Sequence, residues 1–148
     1  MTHIRPANMA DLDTLFLLEK TCFPHDFWQR EALSSHLQSP ICLTYLFCEG
    51  EVVKGALLLQ CICPEFEVLR VEVNPSARRQ GIGRALLQYA HKQLLSEGYI
   101  KGFLEVRASN QSAISLYGVC GYTAYGKRKD YYSCPTEDGV LMQIDFSQ

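Results

Sequence analysis

Residues 66–106 constrain the fold more than any other stretch. Phe66 to Val73 is a β-rich run that Asn74-Pro75 ends. An amphipathic run follows from about Gly81 to Ser96, where Ile82, Leu86, Tyr89, Ala90 and Leu94 recur at helical spacing and Glu97-Gly98 stops the helix. A second short apolar run, Gly102 to Val106, comes next. Strand, helix and strand in that order make a parallel crossover, because the helix carries the chain back across the sheet. Within the first strand, Leu69, Val71 and Val73 alternate onto one face.

The flanking segments add antiparallel elements. Residues 2–6 read as a first strand. Asn8 can cap a helix from Met9 to Cys22, which Pro24 breaks, and a second helix runs from Phe27 to Leu37 before Pro40. Ile41 to Cys48 and Val52 to Cys61 form a hairpin through Glu49-Gly50-Glu51. Asn110 to Cys120 is a helix that Gly121 terminates, and Tyr122 to Lys127 and Val140 to Phe146 are the last strands. The chain reads as one α/β (α+β) domain over residues 1–148, with no repeat, linker or low-complexity tract.

Net charge −2 argues against a dedicated nucleic-acid binder. No apolar run reaches the ~18 residues of a spanning helix, and the first residues lack the apolar core of a signal peptide. A cytoplasmic location is therefore expected, with no membrane role. The seven cysteines and four histidines show no metal-ligand spacing, so they read as thiols and structural or exposed rings.

The chemistry concentrates in two places. Arg78-Arg79-Gln80-Gly81-Ile82-Gly83-Arg84 is a basic, glycine-bearing loop that opens a helix. A helix start leaves its first amide hydrogens unpaired and carries roughly half a positive charge. Glycines let an anion approach the backbone, and the arginines add charge, so the loop suits a pyrophosphate. Read alone, a Gly-x-Gly of this kind is more often a solvated basic turn. It is neither a P-loop nor a dinucleotide fingerprint, since the Gly-Lys-Ser/Thr ending and the third glycine are missing. The second place is Leu104 to Tyr117. It reads as a strand ending in Glu105, a turn, and a helix in which Tyr117 follows Asn110 by two turns, ~10.5 Å along one face.

These residues resemble a known family. Arg78-Arg79-Gln80-Gly81-Ile82-Gly83 is similar to the acetyl-CoA pyrophosphate motif of the GNAT N-acetyltransferases, Gln/Arg-x-x-Gly-x-Gly/Ala, and Ile4-Arg5-Pro6-Ala7 with Asp11 is typical of them. Leu104-Glu105-Val106-Arg107, Asn110, Ala113, Leu116-Tyr117 and Gly121 resemble the bacterial RimI branch, as do Asp130-Tyr131-Tyr132 and Glu137-Asp138. The resemblance implies a GNAT fold: a mixed, mostly antiparallel sheet flanked by helices, splayed between the 66–73 and 102–106 strands, with acetyl-CoA in the splay. It implies direct acetyl transfer to an amine, for that branch the N-terminal alanine of the eighteenth small-subunit ribosomal protein. In such proteins the backbone of Val71, Glu72 and Val73 pairs with the pantetheine arm, the 78–84 loop holds the pyrophosphate, and Asn110 hydrogen-bonds the coenzyme. Glu105 is then the general base, and Tyr117 the acid that protonates the leaving thiolate.

An α-amino group, with pKa ≈ 7.7–8.0, is roughly a third neutral near pH 7.5, whereas a lysine is about a thousandth neutral. An Nα-acetyltransferase therefore asks little of its base. Read without the resemblance, Glu105 is a surface carboxylate pairing with Arg107, and Tyr117 a core aromatic. Glu67 is the rival base, placed where histone-type members of the family carry theirs. It goes with a lysine or small-molecule amine as acceptor. A third reading is a non-catalytic coenzyme A sensor. His25, Trp28, Glu31, Tyr131 and Tyr132 are candidate substrate contacts by region. Arg70 and Glu72 either shape the groove or pair with one another in solvent. The Phe23–Trp28 segment and a shortened tail after Tyr132 depart from the RimI pattern where the acceptor cleft lies.

Overall fold

The computed structural model describes residues 1–148. Its strands are β1 (Thr2–Pro6), β2 (Cys42–Glu49), β3 (Val52–Ile62), β4 (Glu65–Val73), β5 (Lys101–Arg107), β6 (Thr123–Tyr132) and β7 (Glu137–Asp145). Its helices are α1 (Leu12–Cys22), α2 (Arg30–Gln38), α3 (Ile82–Ser96) and α4 (Gln111–Val119). One seven-stranded sheet runs β1-β2-β3-β4-β5-β7-β6. Every neighbouring pair is antiparallel except β4 and β5, whose connection is the expected crossover through α3. No helix is long and apolar enough to cross a membrane.

The parallel pair is short. β4 meets β5 only from Glu65–Lys101 to Glu67–Phe103. Beyond Glu67 the two strands diverge, so the sheet opens between them as the resemblance implies. The edge of β4 past that point is left without a strand partner.

β4 departs from simple alternation. Leu58 faces Arg70 but Leu59 faces Val68, so Leu69 is the extra residue of a bulge. Phe66, Val68, Val71 and Val73 pack on the main core cluster beneath α3, whereas Leu69 packs with a smaller cluster beneath α1 and α2. The expected grouping of Leu69 with Val71 and Val73 is therefore wrong. A bulge resets the period-2 pattern, and it belongs to a strand pairing rather than to the strand's own sequence.

Other boundaries move for identifiable reasons. The expected helix from Met9 begins as a 3-10 turn, Met9–Asp11. The Asn8 side chain accepts from Ala10 N–H while Asp11 accepts from Asn8 N–H, and Arg5 forks onto the Asp11 carboxylate at 2.9 and 2.8 Å. α2 starts at Arg30 rather than Phe27. Phe27 packs edge-on against Phe16, and the Trp28 N–H goes to the Glu19 carboxylate. β6 runs on to Tyr132 and β7 starts at Glu137, both outside the apolar runs that marked them. β6 is an edge strand and mostly exposed, so it carries little hydrophobic signal.

Candidate active site

The opening between β4 and β5 leads into two cavities. The first, about 710 Å³, is bounded by β4, the 78–84 loop and the first turns of α3 and α4. Val71, Glu72, Val73, Arg78, Arg79, Gly81, Ile82, Gly83, Arg84, Asn110 and Tyr117 all line it. Gln80 is the one motif residue that does not.

The loop's two glycines serve different ends. Gly81 sits at the α3 N-cap with φ +77°, a left-handed conformation that L side chains rarely adopt. No side chain caps this helix, so its leading amides stay available. At Gly83 a Cβ would lie 3.0 Å from a Leu116 methyl and 3.6 Å from Val71, so this glycine lets α3 and α4 close together. The sequence reading gave both glycines to anion approach; packing claims the second.

Bare helix amides with Arg78, Arg79 and Arg84 form a donor set suited to a pyrophosphate. The free β4 edge suits an arm that pairs with backbone. The Val73 carbonyl is already engaged, accepting from Arg78 Nε at 3.3 Å and from the Cys22 thiol at 3.3 Å. The fit to acetyl-CoA therefore rests on the loop, on Val71 and on α4. Asn110 caps α4 through its Oδ1, which accepts from Ala113 N–H at 3.2 Å, and still faces the cavity.

The second cavity, about 680 Å³, is walled by Phe23–Asp26, Leu69–Val71, Glu105–Arg107, Ser109, Asn110 and Tyr132–Pro135 with Glu137. Phe23, Val71, Asn110, Ala113 and Tyr117 line both cavities, so the two meet there. Tyr117 is buried, and burial pushes its phenol well above the usual range, so it stays protonated at neutral pH.

Glu105 lines the second cavity, on β5 opposite Leu141 of β7. Its partner is not Arg107 but Arg128 of β6, whose Nε lies 3.1 Å from Oε1. Arg107 instead meets Glu137 at 3.2 Å and the carbonyls of Ser133 and Pro135. Glu137 also accepts from the Ser109 N–H at 2.9 Å, and these bonds hold its carboxyl below the usual range. The tail is thereby tied to the turn after β5.

Glu67 is half-buried and lines neither cavity. Burial first, and then the nearby Glu105 carboxylate, raise its pKa. The two candidate bases therefore sense one another across the parallel pair, but only Glu105 opens onto the second cavity. Tyr132 also lines that cavity, with a phenol raised by burial and then by Glu105. Of the other expected contacts, His25 lines it; Trp28, Glu31 and Tyr131 do not. Trp28 packs edge-on against His36 beside the smaller core cluster.

Arg70 and Glu72 do not pair in solvent. Glu72 is buried, and Arg70 reaches across to the fully buried Glu19 of α1. Neither Glu19 nor Arg128 was singled out from the sequence. Both lie far along the chain from their partners, and no local spacing announces them.

Known proteins agree with this geometry. Residues 11–122 match the sequence model of the Acetyltransferase (GNAT) family. The [ribosomal protein bS18]-alanine N-acetyltransferase of Escherichia coli strain K12 is 31% identical over 152 residues, covering 99% of each chain. The crystal structure of the ribosomal-protein-S18-alanine N-acetyltransferase from Escherichia coli superposes with a TM-score of 0.93 at 28% identity, covering 100% of this chain and 96% of that one. The PaiA N-acetyltransferase of Thermoplasma acidophilum, solved with coenzyme A, shares the fold at a TM-score of 0.80 and 21% identity, covering 98% of this chain and 99% of that one. With a sheet that opens beside an uncapped, arginine-flanked helix start, the chain belongs to the acetyltransferase (GNAT) family and is an acetyl-CoA-dependent N-acetyltransferase.

Proposed function

We propose that this enzyme acetylates the N-terminal α-amine of a protein, with a ribosomal protein beginning in alanine as the acceptor, and that it works in the cytoplasm where such proteins are made. The observation that carries this reading is the position of Glu105. Of the two candidate bases it is the one on the wall of the second cavity, which Asp26 and Glu137 also line and which shares Tyr117 with the first cavity. The whole-length likeness to enzymes named for that acceptor supports it.

Acetyl-CoA supplies the thioester, whose carbonyl carbon takes the amine and whose sulfur leaves. The first cavity holds it through Arg78, Arg79, Gly81, Ile82, Gly83 and Arg84 of the loop, the backbone of β4 at Val71, and Asn110. Glu105 accepts the ammonium proton, directly or through water, so that the amine is neutral when it attacks. An α-amine needs little help here, because its pKa is only ≈ 7.7–8.0. Tyr117 keeps its proton because it is buried, and can give it to the sulfur.

A single peptide tests the acceptor. It would carry a free N-terminal alanine, basic residues after it and one internal lysine, and fragmentation mass spectrometry would locate the acetyl group. Acetylation at the α-amine alone is expected. Acetylation of the lysine would contradict the reading and move the base to Glu67; no acetylation of any amine would favour the coenzyme A sensor.

A further inference from the structure

Behind the wall of the acceptor cavity lies a charged cluster that the transfer chemistry does not use. Residues 23–28 link α1 to α2, and Phe23, Pro24, His25 and Asp26 form one side of that cavity. Arg70 of β4 faces them. Its Nε donates to Glu19 Oε1 at 2.9 Å, and a terminal nitrogen donates to the Asp26 backbone carbonyl. Its guanidinium carbon stands 4.0 Å from the centre of the Phe23 ring and 5.7 Å from that of Trp28. The same Glu19 oxygen accepts the Trp28 N–H at 3.0 Å. One guanidinium and one carboxylate therefore bind both ends of the segment to β4 and α1.

Glu72 completes the cluster. Glu19 Oε2 and both Glu72 oxygens are buried without a hydrogen-bond partner. Two carboxylates cannot donate to each other. Burial, and next the neighbouring Glu19, drive Glu72 far above the usual carboxylate range, so it holds its proton and can donate it to Glu19. Arg70, Glu19 and Glu72 are then one cation, one anion and one neutral acid, with the exposed Asp26 carboxylate 3.7 Å from the guanidinium.

A buried ion pair is a poor source of stability, since well-packed apolar residues of similar volume are often as stable or more so. What a fork of this kind supplies is geometry. We propose that Arg70 is a positioning residue for the acceptor amine: bound to Glu19, it locks the 23–28 segment against β4 as a wall of the acceptor cavity. This rests on the second cavity being the acceptor site, but the lock itself can be read without turnover. Trp28 is the only tryptophan in the chain and sits inside the lock.

The test compares the whole wild-type chain with the double variant Glu19→Gln/Arg70→Met, which removes the fork without stranding a buried charge. Acrylamide quenching of Trp28 should rise toward that of free tryptophan. The KM for an alanine-terminated peptide should rise about tenfold, as expected when a loop must be ordered and the amine is no longer prepositioned. The KM for acetyl-CoA should change much less, since of the segment only Phe23 lines the first cavity, and the melting temperature should hold. Unchanged quenching in the folded variant, or an acetyl-CoA KM rising as much as the peptide KM, would overturn the proposal. If the double variant does not fold, Arg70→Lys keeps a charge beside Glu19 while losing the fork, and is judged by the same readouts. A wild-type chain inert toward peptides would sink the acceptor reading alone; Trp28 quenching would still decide the lock.

Discussion

The two cavities meet at Tyr117 but are assembled in opposite ways. The coenzyme cavity takes most of its lining from one continuous stretch, Val71 to Arg84, and completes it with α4 and the end of α1. The acceptor cavity is gathered from five separate places: the α1–α2 link, the β4 bulge, the end of β5 with the turn after it, α4, and the β6–β7 tail. The first depends on backbone amides and a left-handed glycine, which local sequence specifies. The second depends on long side chains meeting across the fold. A coenzyme site built from backbone can stay fixed while the acceptor site is rewritten by a few substitutions at its margins.

That contrast can be broken where the cavities join. Tyr117→Phe removes the hydroxyl proposed to protonate the thiolate, and little volume. Its kcat should fall about 10²-fold or more, with the acetyl-CoA KM nearly unchanged, as steady-state thiol release would report. A fall confined to peptide KM would make Tyr117 part of the acceptor wall only.

The coenzyme side is sharpened by Gly83→Val. Its Cβ meets Leu116 at 3.0 Å, and the added methyls force α3 from α4. Overpacking of this kind costs about 1–3 kcal/mol, so the acetyl-CoA KM should rise roughly tenfold while the peptide KM holds. Equal changes in both constants would mean that the cavities are not independently built.

The effect at Glu72 is read in stability rather than in rate. Its folded pKa lies above its unfolded value, so between the two the folded chain binds the extra proton and stability falls as pH rises. The slope is at most about 1.4 kcal/mol per pH unit, beginning above the ordinary carboxylate range. Glu72→Gln removes the ionisation and keeps a donor toward Glu19. Urea unfolding should find the variant increasingly more stable than wild type from pH 6 to 9, and the two converging near pH 4. A constant difference across that range would mean that Glu72 is already ionised in the fold.

The same division explains what the sequence made legible. The crossover, the mostly antiparallel sheet and the glycine-bearing helix start could be read because each follows from periodicity or local backbone chemistry. Gln80 sat inside the motif yet lines no cavity, since motif membership does not say which way a loop residue faces. Glu105 could be singled out, but its partner could not: Arg107 is near in sequence and turned to Glu137, while Arg128 arrives from β6. From sequence, Arg70 and Glu72 stay open between the groove and a solvent pair because their partner, Glu19, lies 51 residues from Arg70. The Leu69 bulge was hidden for a related reason, being fixed by pairing with β3.

Glu105 and Glu67 offer the most direct test of the account. Both are carboxylates on adjoining strands, and only one faces the acceptor cavity. The measurement is kcat/KM for an alanine-terminated peptide in Glu105→Gln and Glu67→Gln, each checked for an unchanged acetyl-CoA KM. The account predicts a loss of about 10²-fold or more at Glu105 and little at Glu67. A larger loss at Glu67 would contradict it and return the enzyme to a lysine or small-amine acceptor.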